Sequence, residues 1–232
     1  MSDQNSSSPV DACAQVLSLA VHELRTPASV VGGYLRMLQR DGDPPLGARQ
    51  KKMIDEAEKS CARLVALIAE LSDLSKLDAG LIPLSQKALD LFPLLEDVAR
   101  SVHEAEERDV RLALRGESSG APILGDEARL RGAFEAIFRA ILREQPAACT
   151  VVVDRRHDLS AGRSSAVVVI AEESRVASAY AAAEVVFDGK RGGMGLALPI
   201  ARRVIDRHGG RIWAPRLEPE RGAAIVLLPL SE

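Results

Sequence analysis

The chain has 232 residues, 27% charged and 47% hydrophobic, which excludes wholesale disorder and allows one large or two small domains. A net charge of −3 and an aromatic content of 3% remove the electrostatic and base-stacking arguments for nucleic acid or an anionic membrane as partner. No stretch reaches the ~18 apolar residues of a membrane span, and the N-terminal MSDQNSSSPV lacks the basic and apolar parts of a signal peptide, so a cytoplasmic location is expected. Cys13, Cys61 and Cys149 suit neither a disulfide framework nor a zinc cluster; they read as small buried apolar residues, and no residue is assigned to a metal.

In chain order, residues 1–10 read as a disordered polar leader. Leu17, Val21, Leu24, Ala28, Val31, Leu35 and Leu38 then alternate by four and three, the apolar seam of a heptad helix. The segment DGDPPLG at 41–47 reads as a turn, and Ile54, Ala57, Cys61, Leu64, Ile68 and Leu71 carry a second seam that ends near Ala79 and Gly80. Residues 11–82 are thus an antiparallel helical hairpin, with too little core to stand alone and completed as a four-helix bundle by a second copy.

Residues 83–232 change character. LDLFPLLEDVARSVHEAEER contains a helix, VRLALR is a short strand, and Asp126 is positioned to cap another helix. TVVVDRR and SAVVVIAE are strands, followed by a glycine-containing loop, a helix stopped by Gly209 and Gly210, and the strands RIWAP and AAIVLLPL. The fold class is α+β: a helical hairpin followed by an α/β sandwich whose mixed sheet is covered by helices on one face.

His22, in VHELRTP, lies one residue past the seam and therefore reaches solvent. At 3.6 residues per turn Ser18, His22, Arg25, Thr26 and Ser29 share a polar stripe flanked by Glu23, and Pro27 is expected to bend the helix just after it. An isolated histidine on a bundle helix is usually a surface residue. Here a neighbouring carboxylate, an arginine and a hydroxyl one turn on assemble what phosphoryl transfer to an imidazole nitrogen requires.

At HELRTP followed by GYLRML the sequence resembles the phosphoacceptor box of bacterial two-component sensor histidine kinases. The resemblance continues through LSDLSKLDAG, LDLFPLLEDVA, GDEARLRGAFEAIF, RGGMGLALPIARRVIDRHGGRIW and the final LLPL. It implies that His22 is the phosphorylated residue, Glu23 an assisting carboxylate, and Thr26 a position that directs water in dephosphorylation of a partner. It further implies homodimerisation, a response-regulator receiver domain as partner, and an ATP-binding sandwich of the gyrase and chaperone type.

The sequence departs from that family at the nucleotide site. Where the family carries a phosphate- and magnesium-contacting asparagine this chain has Ala140, with Ala136 one turn earlier and Glu135 one residue off that face. The adenine-binding DxGxG loop is replaced by AEESRVAS, in which Glu172 and Glu173 stand near the aspartate position. Gly192, Gly193 and Gly195 survive as a vestigial phosphate loop, Lys190 and Arg191 read as a solvated basic turn, and Pro199 argues that the following helix starts later than Gly195. The leading expectation is a dimeric histidine phosphotransferase with no cofactor, fed by an upstream hybrid kinase. A divergent kinase that autophosphorylates His22 from Mg-ATP and a non-catalytic module regulating another kinase are the alternatives.

Overall fold

The computed structural model describes residues 9–40, 46–81, 83–104, 106–160, 163–218 and 221–231. The chain divides into two compact units, 1–82 and 83–232. Of the expected leader, residues 1–8 lie outside the described residues, while Pro9 and Val10 already belong to the first helix, where proline loses no helical hydrogen bond.

The first unit is a hairpin of α1 (Pro9–Arg40) and α2 (Ala48–Asp78). The helices run antiparallel, since Gln39 donates to Asp55 at 2.8 Å while the Cys61 thiol donates to the Ala28 carbonyl at 3.1 Å. Of the expected turn, 41–45 lie outside the described residues; Gly47 caps α2, its backbone N–H donating to Gln50 Oε1 at 3.0 Å. At the other end Gly80, with φ 67°, turns the chain out of the helix, and Leu81 N–H closes on the Lys76 carbonyl at 3.0 Å. Val21, Cys61 and Ile68 are buried in the seam, whereas Leu24, Val31, Leu38 and Leu64 remain 52%, 52%, 51% and 54% exposed. Two helices cover only one flank of a heptad stripe, so the other flank stays open.

The second unit holds β1 (Lys87–Asp90), α3 (Leu91–Ser101), β2 (Val110–Gly116), β3 (Pro122–Gly125), α4 (Glu127–Glu144), β4 (Cys149–Ser160), β5 (Arg163–Glu172), α5 (Val176–Ala181), β6 (Glu184–Val186), α6 (Ala197–Arg207), β7 (Arg211–Pro215) and β8 (Ala223–Pro229). β1 and β3 form a small antiparallel pair, and the main sheet has the order β2-β4-β5-β8-β7-β6 with only β2 and β4 parallel.

Asp126 caps α4 as expected, accepting from Arg129 N–H at 3.2 Å. Burial pushes its carboxyl up, but hydrogen bonds from the Ser85 and Arg129 backbone and the charge of Arg129 bring it below the usual range. The Asp126 N–H donates to His208 Nε2 at 2.9 Å, and His208 Nδ1 lies 2.7 Å from the Val204 carbonyl, which ties the end of α6 to the start of α4.

The strands alternate between two buried faces. Ala224, Val226 and Leu228 of β8 lie on the α6 side, where Leu228 and Ile205 close on Gly210. Ala223 and Ile225 point the other way and pack with Val152, Val167, Val169 and Ala171 against Val176 and Ala179 of α5. The expectation of helices on one face is therefore corrected: α5 supplies a second, smaller core on the opposite face. Its residues fall in the glycine-free stretch read as a loop, where nothing prevents a short helix.

Candidate functional site

α1 runs unbroken through Pro27, so the Glu23 carbonyl lacks the N–H that residue 27 would ordinarily supply. His22 lies one turn before the proline with its side chain 80% exposed, and its Nδ1 is 3.2 Å from Glu23 Oε1, itself 70% exposed. A neutral ring donating Nδ1–H to that carboxylate keeps its lone pair on Nε2, a tautomer assigned from the hydrogen bond. Arg25, Thr26 and Ser29 are exposed on the same side of the helix, while the Ser18 side chain lies outside the described residues.

Next to the histidine stripe the sequence reading missed a second group of apolar residues. Val30, Tyr34 and Met37 are 50%, 65% and 55% exposed, recur at four- and three-residue spacing, and lie some 60–120° from His22 around the helix. That spacing was the available signal, but it was masked by the stronger heptad seam. Gly33, beside them, has no atom within 4 Å of the point where a Cβ would stand.

In the second unit, Gly192, Gly193 and Gly195 all take positive φ, 59°, 63° and 62°, which only glycine adopts without strain. α6 begins at Ala197, placing Pro199 in its first turn, where a backbone N–H has no helical acceptor. Ala140 is fully buried, and a Cβ on Gly192 would come within 2.7 Å of the Ala140 Cα, so the glycine loop packs directly on α4 at that point.

Arg191 corrects the reading of a solvated basic turn. Its side chain is 5% exposed and pairs with Glu144, 6% exposed, with Nε to Oε1 at 2.9 Å and Nη2 to Oε2 at 2.5 Å. Nη1 donates to the Ala223 carbonyl at 2.9 Å, the guanidinium lies 5.0 Å from the Phe187 ring centroid, and Glu144 also accepts from Gly222 N–H at 2.8 Å. The partner lies 47 residues away in sequence, beyond any local pattern. Lys190 alone of the pair is exposed.

Glu172 ends β5 half-buried and accepts from Ser174 Oγ at 2.9 Å; Glu173 is exposed in the turn leading to α5. Glu135 is committed to Arg139 at 2.8 Å. The structure therefore groups His22, Glu23, Arg25 and Thr26 on one helix, and it places Gly192 against Ala140 with an internal ion pair behind. Of the cysteines, Cys61 is buried, Cys149 is only half-buried, its thiol pushed up by burial and the Glu172 charge, and the Cys13 side chain lies outside the described residues.

Residues 14–80 match the family model of the His Kinase A (phospho-acceptor) domain. Over 216 residues, 90% of this chain, the sequence is 26% identical to the alginate biosynthesis sensor protein KinB of Pseudomonas aeruginosa. Among solved structures, full-length ShkA in complex with AMPPNP superposes with a TM-score of 0.65 at 23% identity, covering 93% of this chain and 45% of that one. The chain carries the phospho-acceptor domain and the fold of a two-component sensor histidine kinase core. The kinase core spans 35% of the length of KinB. It also shares its fold with histidine kinase ThkA, solved in complex with response regulator protein TrrA, at a TM-score of 0.56 and 17% identity over 94% of this chain and 61% of that one. Among the described residues no helix is long and apolar enough to cross a membrane.

Proposed function

We propose that this core works as a dimeric histidine phosphotransferase, exchanging phosphoryl groups between His22 and the aspartate of a response-regulator receiver domain. The observation that carries the reading is the state of the imidazole: exposed, with Nδ1 at the Glu23 carboxylate and Nε2 open to a large partner. The Nε2 lone pair attacks the phosphorus of an aspartyl phosphate, an N–P bond forms, the P–O bond to the aspartate breaks, and the carboxylate leaves with the electron pair. The Nδ1 proton stays on the ring, and Glu23 offsets the positive charge that develops there. Arg25 contributes charge beside the transferring group, and Thr26 directs water when the partner's phosphoaspartate is hydrolysed.

The half-exposed Leu24, Val31, Leu38 and Leu64 are the surface a second copy would cover in a four-helix bundle. Ser29, Gly33 and Arg36, with Val30, Tyr34 and Met37 beside them, offer a receiver a mixed polar and apolar landing. The fold shared with ThkA, solved with a response regulator, supports that partner class. An upstream hybrid kinase is the proposed phosphoryl source.

The residues at the nucleotide positions do not fit Mg-ATP. Ala140 and Ala136 offer no oxygen ligand, Gly192 lies on Ala140, and Arg191 is held by Glu144. The deciding experiment incubates the protein first with labelled Mg-ATP and then with a phosphorylated receiver panel. Label arriving on His22 from receivers only supports the phosphotransferase. Label arriving from ATP installs the autokinase instead, and label from neither source leaves a regulatory module.

A further inference from the structure

The open half of the sheet face that carries α5 forms a cleft of about 600 Å³, inside the ~300–1,000 Å³ range of small-molecule sites. Its floor is Val167, Ile225 and Leu227, and Tyr180 of α5 and Trp213 of β7 also line it. Each aromatic ring already carries a guanidinium: Arg156 stands 4.2 Å from the Tyr180 centroid and Arg211 stands 5.3 Å from that of Trp213. Stacking fixes the plane of a guanidinium while leaving its edge donors for a ligand, and it takes up ring faces that would otherwise attract a cation.

Asp154, 1% exposed, anchors this arrangement. It accepts from Arg156 Nε at 3.0 Å, from Arg115 Nε at 2.7 Å and from the Tyr180 hydroxyl at 3.2 Å. One carboxylate thus serves two guanidinium groups and leaves one positive charge without a counter-charge at that spot. Burial pushes the Asp154 carboxyl up, but the hydrogen bonds and charges of Arg156 and Arg115 more than reverse this, so it stays ionised and holds both arginines in place. Arg156 commits Nε and Nη2 to Asp154, and Nη1 takes no part in those two bonds. Arg211 pairs with Glu184, both more than half exposed, an ion pair that an incoming anion can exchange at little cost. Asp158 is the other acidic residue of the lining.

We propose that this cleft binds a small aromatic monoanion, a planar ring on the Val167, Ile225 and Leu227 floor with its carboxylate-type group at Arg156, while Arg211 borders the floor from the opposite side, three strands away in register. The site lies on the sheet face opposite α6, so it is separate from the glycine loop and does not depend on the phosphotransfer reading.

The test uses the whole chain and two probes of one shape, naphthoate and its uncharged amide, titrated by calorimetry. Trp213 is the only tryptophan, so a change in its emission reports occupancy of this cleft. Naphthoate is expected to saturate at one site per chain with a change in Trp213 emission, and the amide to bind about ten- to a hundredfold more weakly, the range for loss of hydrogen bonds to a charged group. Arg156→Gln should bring naphthoate down toward the amide, and Arg211→Gln, at an exposed position across the floor, should weaken it less, with circular dichroism confirming the fold. Equal affinity for acid and amide, binding that survives both arginine variants, or titration without saturation overturns the proposal.

Discussion

The face around His22 and the loop around Gly192 descend from the two halves of one kinase architecture and have been treated in opposite ways. Around His22 the polar groups that count are exposed and loosely held, one 3.2 Å contact to Glu23 being the main restraint. Around Gly192 the interior groups are already paired, with Arg191 and Glu144 buried together and Ala140 covered by the glycine backbone. A group that reacts with a bulky partner needs access more than a cavity, whereas a nucleotide needs a cavity whose polar atoms are still unpaired. On the proposed phosphotransferase reading, the same chain keeps the first kind of site open and fills the second from within.

The strongest way to break this contrast is His22→Ala, which is expected to abolish receiver-dependent labelling while the fold, measured by circular dichroism, is unchanged, because an exposed side chain leaves no void. Glu23→Gln should slow transfer by about 10²–10⁴-fold without ending it, since it removes the charge that offsets the imidazolium but keeps the nucleophile; rapid-quench transfer rates check this. On the filled side, Glu144→Ala should cost about 3–5 kcal/mol in urea unfolding, because Arg191 would be left buried without its counter-charge. Ala140→Asn, which restores the family's asparagine, should cost about 1–3 kcal/mol through overpacking against Gly192 and should confer no nucleotide-dependent rise in melting temperature. An Ala140→Asn protein stabilised by Mg-ATP would show that the loop yields easily and would erase the contrast.

The smallest expected effect is in pH. Asp154 and Asp126 are both held below the usual carboxylate range, so their stabilisation is present above the unfolded value of about 3.9 and is lost as pH falls through the lower folded values. Melting temperature should therefore drop in acid, and Asp154→Asn should flatten that dependence in part, leaving the share due to Asp126.

How much of this was legible depended on whether a signal was local. The heptad seam showed in the spacing of Val21, Ala28, Cys61 and Ile68 because a repeat of three and four residues is read along a single helix, and the Asp126 cap showed because its acceptor and donor are three residues apart. The burial of Arg191 did not show, because its carboxylate sits on another helix. The strands β1 and β3, four residues each, are too short for alternation to stand out. α5 was hidden by a family template that expects a loop with two glycines in the stretch after Glu172 and Glu173, where this chain has none. At His22 the residue types announced the chemistry, while the apolar group at Val30, Tyr34 and Met37 needed the helix angles to be worked through.

The position of β8 in the sheet has a consequence for biosynthesis. β8 comes last of the sheet strands in sequence yet lies between β5 and β7, so before it arrives β2-β4-β5 and β7-β6 are separate pieces with unpaired edges. Emerging from the ribosome at about 5–20 residues per second, the second unit can close only after residue 229 is clear of the exit tunnel. The α1–α2 hairpin, made of local contacts, has no such wait. A stalled or truncated chain would thus expose β5 as an open edge rich in valine, the kind of surface on which nascent chains pair with one another.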